Sequence, residues 1–336
     1  MFHENQPIRT RAPEKAPCLI VVIDTEEEFD WGAPFDRNSR SVTCIRHQHK
    51  AQDIFHRYGI VPTYVVDYAV AEDETAVGIL REWAEAGTCL IGAHLHPWVN
   101  PPYEEEVNRH NSYPGNLPYG LEKAKLERLT DLITTRFGQR PVIYKAGRYG
   151  AGKNTARILA ELGYEIDASV VADTDFSHDQ GPDFRGLPTQ PYFFQAAGKT
   201  LLELPNARGY DGLLAGWGSV LYPRLAGQSG VRSLMAGVLS KLRLLERIPL
   251  TPEGISAADQ IRMVRRMARL GHFAFHYAYH SSSLMVGGSP YVCTERELQD
   301  FLNNMEEFFD FFLNDLGGEA FTPLQMRDRL ALPSQP

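Results

Sequence analysis

The sequence predicts an α/β fold with parallel strands, and three observations carry that expectation. Strand-like apolar runs alternate with helix-like amphipathic runs along most of the chain, the pattern of repeated β–α units. The first apolar run, Cys18 to Ile23 in "CLIVVIDTEEEFDW", shows no polar alternation, as expected of a strand buried on both faces. The chain has 336 residues, 43% of them hydrophobic, enough for a large core, and barrel folds of this length often form one domain.

The elements follow in order. Leu19 to Asp24 is the first strand, and "HKAQDIFHRYG" is a helix that stops at Gly59, a C-cap residue. "IVPTYVVD" is a second strand, and "ETAVGILREWAEAG" a helix ending at Gly87. "TCLIGAHLHPW" is a third strand whose end carries two histidines, and the Pro-, Asn- and Tyr-rich stretch from Trp98 to Gly120 is a long loop over one face. "LEKAKLERLTDLITTRFG" sets Leu126, Leu129, Ile133 and Phe137 on one helical stripe. "PVIYKAG" is a fourth strand, "NTARILAELG" a helix and "YEIDASVV" a fifth strand.

After "KTLLELP" the pattern changes. Residues 207–250 are apolar with interspersed Arg and Lys, and are expected to form a helical insertion in a single domain spanning residues 1–336. Such an insertion packs on the barrel as a helix pair or forms a surface that approaches a membrane, so peripheral membrane contact stays open. "SAADQIRMVRRMARLG", "HFAFHYAYH" and "ERELQDFLNNMEEFFDFFLNDLG" restore the helix, strand, helix rhythm.

Composition narrows the partners. A formal net charge of -8 and the lack of a basic tract argue against nucleic acid. "MFHENQPIRTRAPEK" is polar, without the apolar core of a signal peptide, and no apolar run approaches the ~20 residues of a spanning helix. Cys18, Cys44, Cys89 and Cys293 are widely spaced with no CxxC pair, as reduced thiols would be. The expectation is a cytoplasmic protein.

The chemistry-bearing residues sit where strands stop. Asp24 and Glu26 follow the first strand, His94 and His96 end the third, Lys145 and Arg148 follow the fourth, Asp167 lies in the fifth, and His280 follows a late one. In a parallel barrel all these strand ends share one face. Residues i and i+2 of a strand point the same way, so His94 with His96, and Asp24 with Glu26, can face one ion. Two imidazoles and a carboxylate suit zinc or another first-row divalent metal. A cation there also offsets the repulsion within Asp24, Glu26, Glu27, Glu28 and Asp30, which are packed into seven positions. Each element has a plainer account: the acidic run as a solvated turn, and His272 and His276 as partly buried strand residues with satisfied ring nitrogens. His47, His49 and His56 sit on a helical surface and carry no assignment.

At "VVIDTEEEFDW", "IGAHLHPWVNPP", "YKAGRYGAG", "LGYEIDASV" and "HSSSLMVGGSPYV" the chain resembles the NodB-type polysaccharide deacetylases of the carbohydrate esterase family 4 superfamily, and most closely a WalW-like branch. The resemblance spans roughly residues 17 to 325. It implies an irregular (β/α)7 barrel and a divalent metal, by expectation zinc. It makes Asp24 the base and Glu26 the metal ligand, with Glu27 as a substitute, and His94 and His96 the further ligands. The family spaces these histidines at i and i+4, whereas here they are at i and i+2. The Arg that pairs with the family's base has Lys145 in its place, with Arg148 close by. His280 is the general acid, with His276 as second choice, and Leu202 and Glu203 resemble a further strand lining the groove. The implied function is metal-dependent removal of an N-acetyl or similar acyl group from a sugar of a bacterial surface polysaccharide or its precursor. The aromatics Trp31, Trp98, Tyr103 and Tyr149 are candidates to stack on sugar rings. Two rivals remain: a metal-free glycosidase using paired carboxylates, and an inactive carbohydrate-binding relative.

Overall fold

The structure, a computed structural model, describes residues 7–10, 16–30, 32–218, 221–222, 239, 242 and 244–331. Its strands in chain order are β1 (Ile8–Arg9), β2 (Cys18–Thr25), β3 (Thr63–Val66), β4 (Leu90–Leu95), β5 (Ile143–Ala146) and β6 (Ile166–Asp167), then β7 (Tyr192–Ala196), β8 (Lys199–Glu203), β9 (Arg208–Asp211), β10 (Glu246–Pro249), β11 (Ala274–His280) and β12 (Glu319–Ala320). Seven of them form the frame in the order β8, β6, β5, β4, β3, β2, β11, with every neighbouring pair parallel. β7 is antiparallel to β8 and to β1, and β12 pairs with the foot of β2.

No strand pairing joins β11 to β8 among the described residues. The seam is bridged by single contacts: Ala207 N–H donates to the His276 carbonyl at 3.4 Å, and the Gln190 side-chain oxygen accepts from Phe273 N–H and Ala274 N–H. This is the irregular (β/α)7 barrel that the resemblance implies.

Side-chain parity decides what the barrel holds. Cys18, Ile20 and Val22 of β2 join Ile143, Ile166, Leu202 and Ala274 in one apolar cluster, while Leu19, Val21 and Ile23 join the helix residues in another. The first set faces the barrel interior, because successive strand residues alternate faces. Met326 and Leu330 of the helix Pro323–Leu330 belong to this inner cluster and close it at the strand starts. Extending the parity by two residues places Asp24 at the other mouth, after Val22, and Lys145 there after Ile143. His280 follows Ala274, His276 and Ala278 in the same way. Asp167 has the opposite parity to Ile166, and Glu203 to Leu202, so both face the helices.

The helices lie where their amphipathic patterns predict. Leu126, Leu129, Ile133 and Phe137 are all buried in the helix Tyr119–Phe137. Gly59 and Gly87, with φ of 63° and 71°, end the helices before them in the left-handed conformation that glycine adopts without a Cβ penalty.

Several strands are shorter than expected, two of them for a visible reason. β4 ends at Leu95 rather than Trp98, since Pro97 offers no N–H to a ladder. β6 keeps two residues of "YEIDASVV", because the Asp167 side chain accepts from Ser169 N–H at 3.1 Å and turns the chain. The two ends of the expected helical insertion at 207–250 are strands: β9 and β10 pair antiparallel, with Arg208 opposite Pro249 and Arg247 opposite Tyr210. Most of its centre, including residues 223–238, lies outside the described residues, as does Trp31.

Candidate metal centre and active-site pocket

The mouth of the barrel opens into a cavity of about 490 Å³ lined by Asp24, Glu26, His94, His96, His276 and His280, among others. One donor atom each from Glu26, His94 and His96 lie within 4.8 Å of one another, all three residues buried. The Glu26 Oε2 atom is 3.2 Å from His94 Nε2 and 3.3 Å from His96 Nε2. Both imidazoles are turned from behind. His94 Nδ1 lies 3.0 Å from the Lys145 carbonyl, and His96 Nδ1 lies 2.8 Å from the Glu27 carboxylate. With the proton placed on each Nδ1, the two Nε2 lone pairs point to the same spot as Glu26.

These residues fit a divalent ion. Glu26 Oε1 is buried and has no hydrogen-bond partner among the described residues, an expensive state for a carboxylate oxygen unless something charged meets it. Two nitrogens and one oxygen are a common donor set for zinc with coordination positions left open.

Glu27 does not stand in for Glu26. It forms a second group with Asp67 and His96, donor atoms again within 4.8 Å, but its oxygens are already engaged. Oε2 meets His96 Nδ1, and Oε1 accepts from the Trp98 indole at 2.7 Å. Asp67 in turn accepts from Glu27 N–H and Val70 N–H. The opening run of acids thus divides by task. Asp24 and Glu26 face the mouth, Glu27 backs His96, Glu28 accepts from Ser41, Thr43 and Cys44, and Asp30 accepts from Gly32 N–H.

Asp24 is flanked by two cations. Lys145 Nζ sits 2.6 Å from Oδ1 and 2.8 Å from Oδ2, and His280 Nε2 is 3.8 Å from Oδ2. Burial opposes ionisation of Asp24, but Lys145, His94 and His280 outweigh it and hold the carboxyl at about 2. His280 Nδ1 is 2.9 Å from Glu253 Oε2. Burial disfavours its charge too, yet Glu253, Glu26 and Asp24 together raise the imidazole well above its ordinary value. The arrangement therefore pairs an ionised carboxylate with a protonated imidazole across one small space, which suits removal of one proton and delivery of another.

Arg148 lines the same cavity but is not on Asp24. Its guanidinium bonds Ser112 and Asp179 and stacks 4.0 Å over the Tyr113 ring. Arg148 and Tyr149 both have positive φ, 54° and 57°, a rare pair for residues with side chains and one that aims Tyr149 at Lys145.

Other expectations shift. His276, the second choice as acid, is buried with Nδ1 on the Leu204 carbonyl, and burial pushes it down to about 3. Asp167 does not reach the pocket; with Glu203 it lies in the layer between sheet and helices, where the two buried carboxyls accept from Ser169 and Val170. Trp98 is 1% exposed and cannot present a face to a sugar, because its indole is spent on Glu27. Tyr103 is exposed but lies outside the cavity lining, and Tyr149 lines it.

Three contributors escaped sequence reasoning. Glu253 lies four residues beyond β10, in "TPEGIS", where the sequence reading expected a helical insertion to end rather than a strand. Asp67 ends the second strand, the same placement that singled out Asp24, and was legible on that ground. Gly147 matters through contact alone, since a Cβ there would lie 2.3 Å from His96 Cδ2.

No family model matches the chain, and no curated protein matches it. Solved structures do. A putative glycoside hydrolase/deacetylase from Parabacteroides distasonis superposes with a TM-score of 0.59 at 12% identity, over 94% of this chain and 71% of that one. A putative polysaccharide deacetylase from Mycobacterium smegmatis gives 0.50 at 16% identity, with 99% of both chains covered. Puue allantoinase gives 0.50 at 16%, over 89% of this chain and 85% of that one. The chain adopts the NodB-type polysaccharide deacetylase fold.

Proposed function

We propose that the protein is a metal-dependent amide hydrolase that removes an N-acetyl or similar acyl group from a sugar of a bacterial surface polysaccharide or of its precursor. The carrying observation is the convergence at one barrel mouth of the Glu26–His94–His96 donor set, the Lys145-bound Asp24 and the Glu253-bound His280. Glu26, His94 and His96 would hold the ion, zinc by its donor preference, which would supply an activated water and polarise the acyl oxygen.

The chain's own groups do the rest. Asp24, kept ionised by Lys145, accepts the proton that the attacking water loses. His280, kept protonated and oriented by Glu253, delivers a proton to the departing amine. Phe29 and Phe35 line the same cavity and exclude water from one side.

The test is acetate release from N-acetylated amino sugars by zinc-loaded protein, with Asp24→Asn beside wild type. The expected result is a ~10²- to 10⁴-fold loss of turnover with metal content retained, the range for a lost general base. Loss of the metal instead would move Asp24 into the ligand set. Release of acetate by chelator-treated protein would refute metal dependence.

A further inference from the structure

We propose that the substrate carries an anionic group, a carboxylate or a phosphate, and that Arg208 binds it one aromatic ring away from the reacting acyl group. The proposal rests on the deacetylase assignment of the pocket and adds the chemical class of its substrate.

Arg208 opens β9 and lines the same cavity as Asp24, Glu26 and His280. The neighbouring cations are committed: Lys145, beneath the cavity, to Asp24, and Arg148 and His280 in its lining to Asp179 and Glu253. Among the described residues Arg208 forms no ion pair and no side-chain hydrogen bond; its guanidinium lies 5.9 Å from the centre of the Tyr149 ring. The other side of that story is Lys145, 5.4 Å from the same ring. Tyr149 is therefore shared by the cation that holds the base and one that, among the described residues, holds no acid.

The surroundings deepen the deficit of negative charge. Arg247, on the strand paired with β9, donates to two neutral acceptors, the Ala172 carbonyl and Thr174 Oγ1. Burial, and then the adjacent Arg208, push Arg247 down to about 10, with Asp173 the acid that acts against them. Two acids of the cavity are taken. Asp179 meets Arg109, Arg148 and Tyr113, and Glu253 meets His280 and Ser283. The stretch joining β9 to β10 offers no help: residues 212–245 contain Arg224, Arg232, Lys241 and Arg243 and not one Asp or Glu. A half-buried guanidinium beside a second one is a costly arrangement without an anion. A planar guanidinium is suited to a carboxylate or a phosphate, which it can grip with two parallel N–H donors.

The test compares N-acetylglucosamine, N-acetylmuramic acid and N-acetylglucosamine 1-phosphate as substrates of wild type and Arg208→Gln. The muramic acid arm reads a carboxylate and the 1-phosphate arm a phosphate. Wild type is expected to prefer one anionic sugar over the neutral one. In Arg208→Gln the ratio of kcat/KM for that sugar to the neutral one should fall roughly 10- to 100-fold, chiefly through KM, with partial rescue in Arg208→Lys. An unchanged ratio, or a wild type that prefers the neutral sugar, overturns the proposal. If none of the three releases acetate, the deacetylase assignment fails for these sugars, and calorimetric titration of N-acetylglucosamine 1-phosphate and N-acetylmuramic acid decides the anion site alone. Binding of either that weakens in Arg208→Gln sustains the site; equal binding to both proteins refutes it.

Discussion

Replacing Gly147 with alanine should remove metal binding while leaving the barrel folded. The added Cβ would lie 2.3 Å from His96 Cδ2, 3.0 Å from His96 Nε2 and 2.6 Å from the Leu95 carbonyl oxygen. Restoring ordinary carbon contact takes a shift of ~1 Å. The Leu95 carbonyl belongs to β4 and is held by the sheet, so the backbone at 147 and the His96 ring both have to give. That ring is hemmed in, stacked on Trp98 with centroids 4.3 Å apart, edge-on to Phe29 at 5.8 Å, and bonded through Nδ1 to Glu27. Metal–nitrogen bonds near ~2 Å tolerate ~0.2 Å, so a ~1 Å displacement takes His96 out of the donor set. The expected fall in zinc affinity is at least the ~10- to 100-fold seen when a ligand merely loses its supporting contact. Overpacking should cost about 1–3 kcal/mol of stability. The assay is competition for zinc against a chromophoric chelator, with thermal melting of the metal-free protein alongside. Gly120→Ala, where a Cβ meets nothing within 4 Å, is the control. An unchanged zinc affinity in folded Gly147→Ala would refute the placement of His96.

Lys145→Met should destabilise the protein by about 3–5 kcal/mol, since it leaves the Asp24 carboxylate buried without its partner; adding Asp24→Asn should recover part of that loss, and denaturant titration of the single and double variants that showed no recovery would argue against the pair. Glu122 is 1% exposed, accepts from Thr155, and is pushed up to about 8, chiefly by burial. Its folded form keeps a proton that the unfolded chain releases near 4.5, so stability should fall as pH rises between those values, by up to ~1.4 kcal/mol per unit, and level off above about 8. Glu122→Gln removes that slope, so unfolding free energies at pH 5, 6.5 and 8 should show the variant gaining on wild type with pH. Parallel profiles would place the ionised carboxylate in the folded state.

Much of the frame was legible because burial on both faces and helical periodicity leave local marks. The apolar run Cys18 to Ile23 reads as a strand buried on both faces, and its parity carries directly to Asp24. The joint placement of Asp24, His94, Lys145 and His280 at strand ends was legible for the same reason. Asp167 misled, because it too sits at a strand end but one residue out of phase, and a shift of one turns a side chain to the other face. Trp98 misled because nothing local distinguishes an aromatic that covers a carboxylate from one that covers a sugar.

Sequence alone determined the succession of strands and helices, the inward parity of the acids, imidazoles and cations, and the short list from which a metal centre would be drawn. Only the tertiary structure decided which members of that list meet. Glu26 rather than Glu27 meets both imidazoles, Lys145 rather than Arg148 reaches Asp24, Glu253 meets His280, and Arg208 has no acid partner among the described residues. Those choices are distances between residues tens to hundreds of positions apart, and local periodicity contains no term for them.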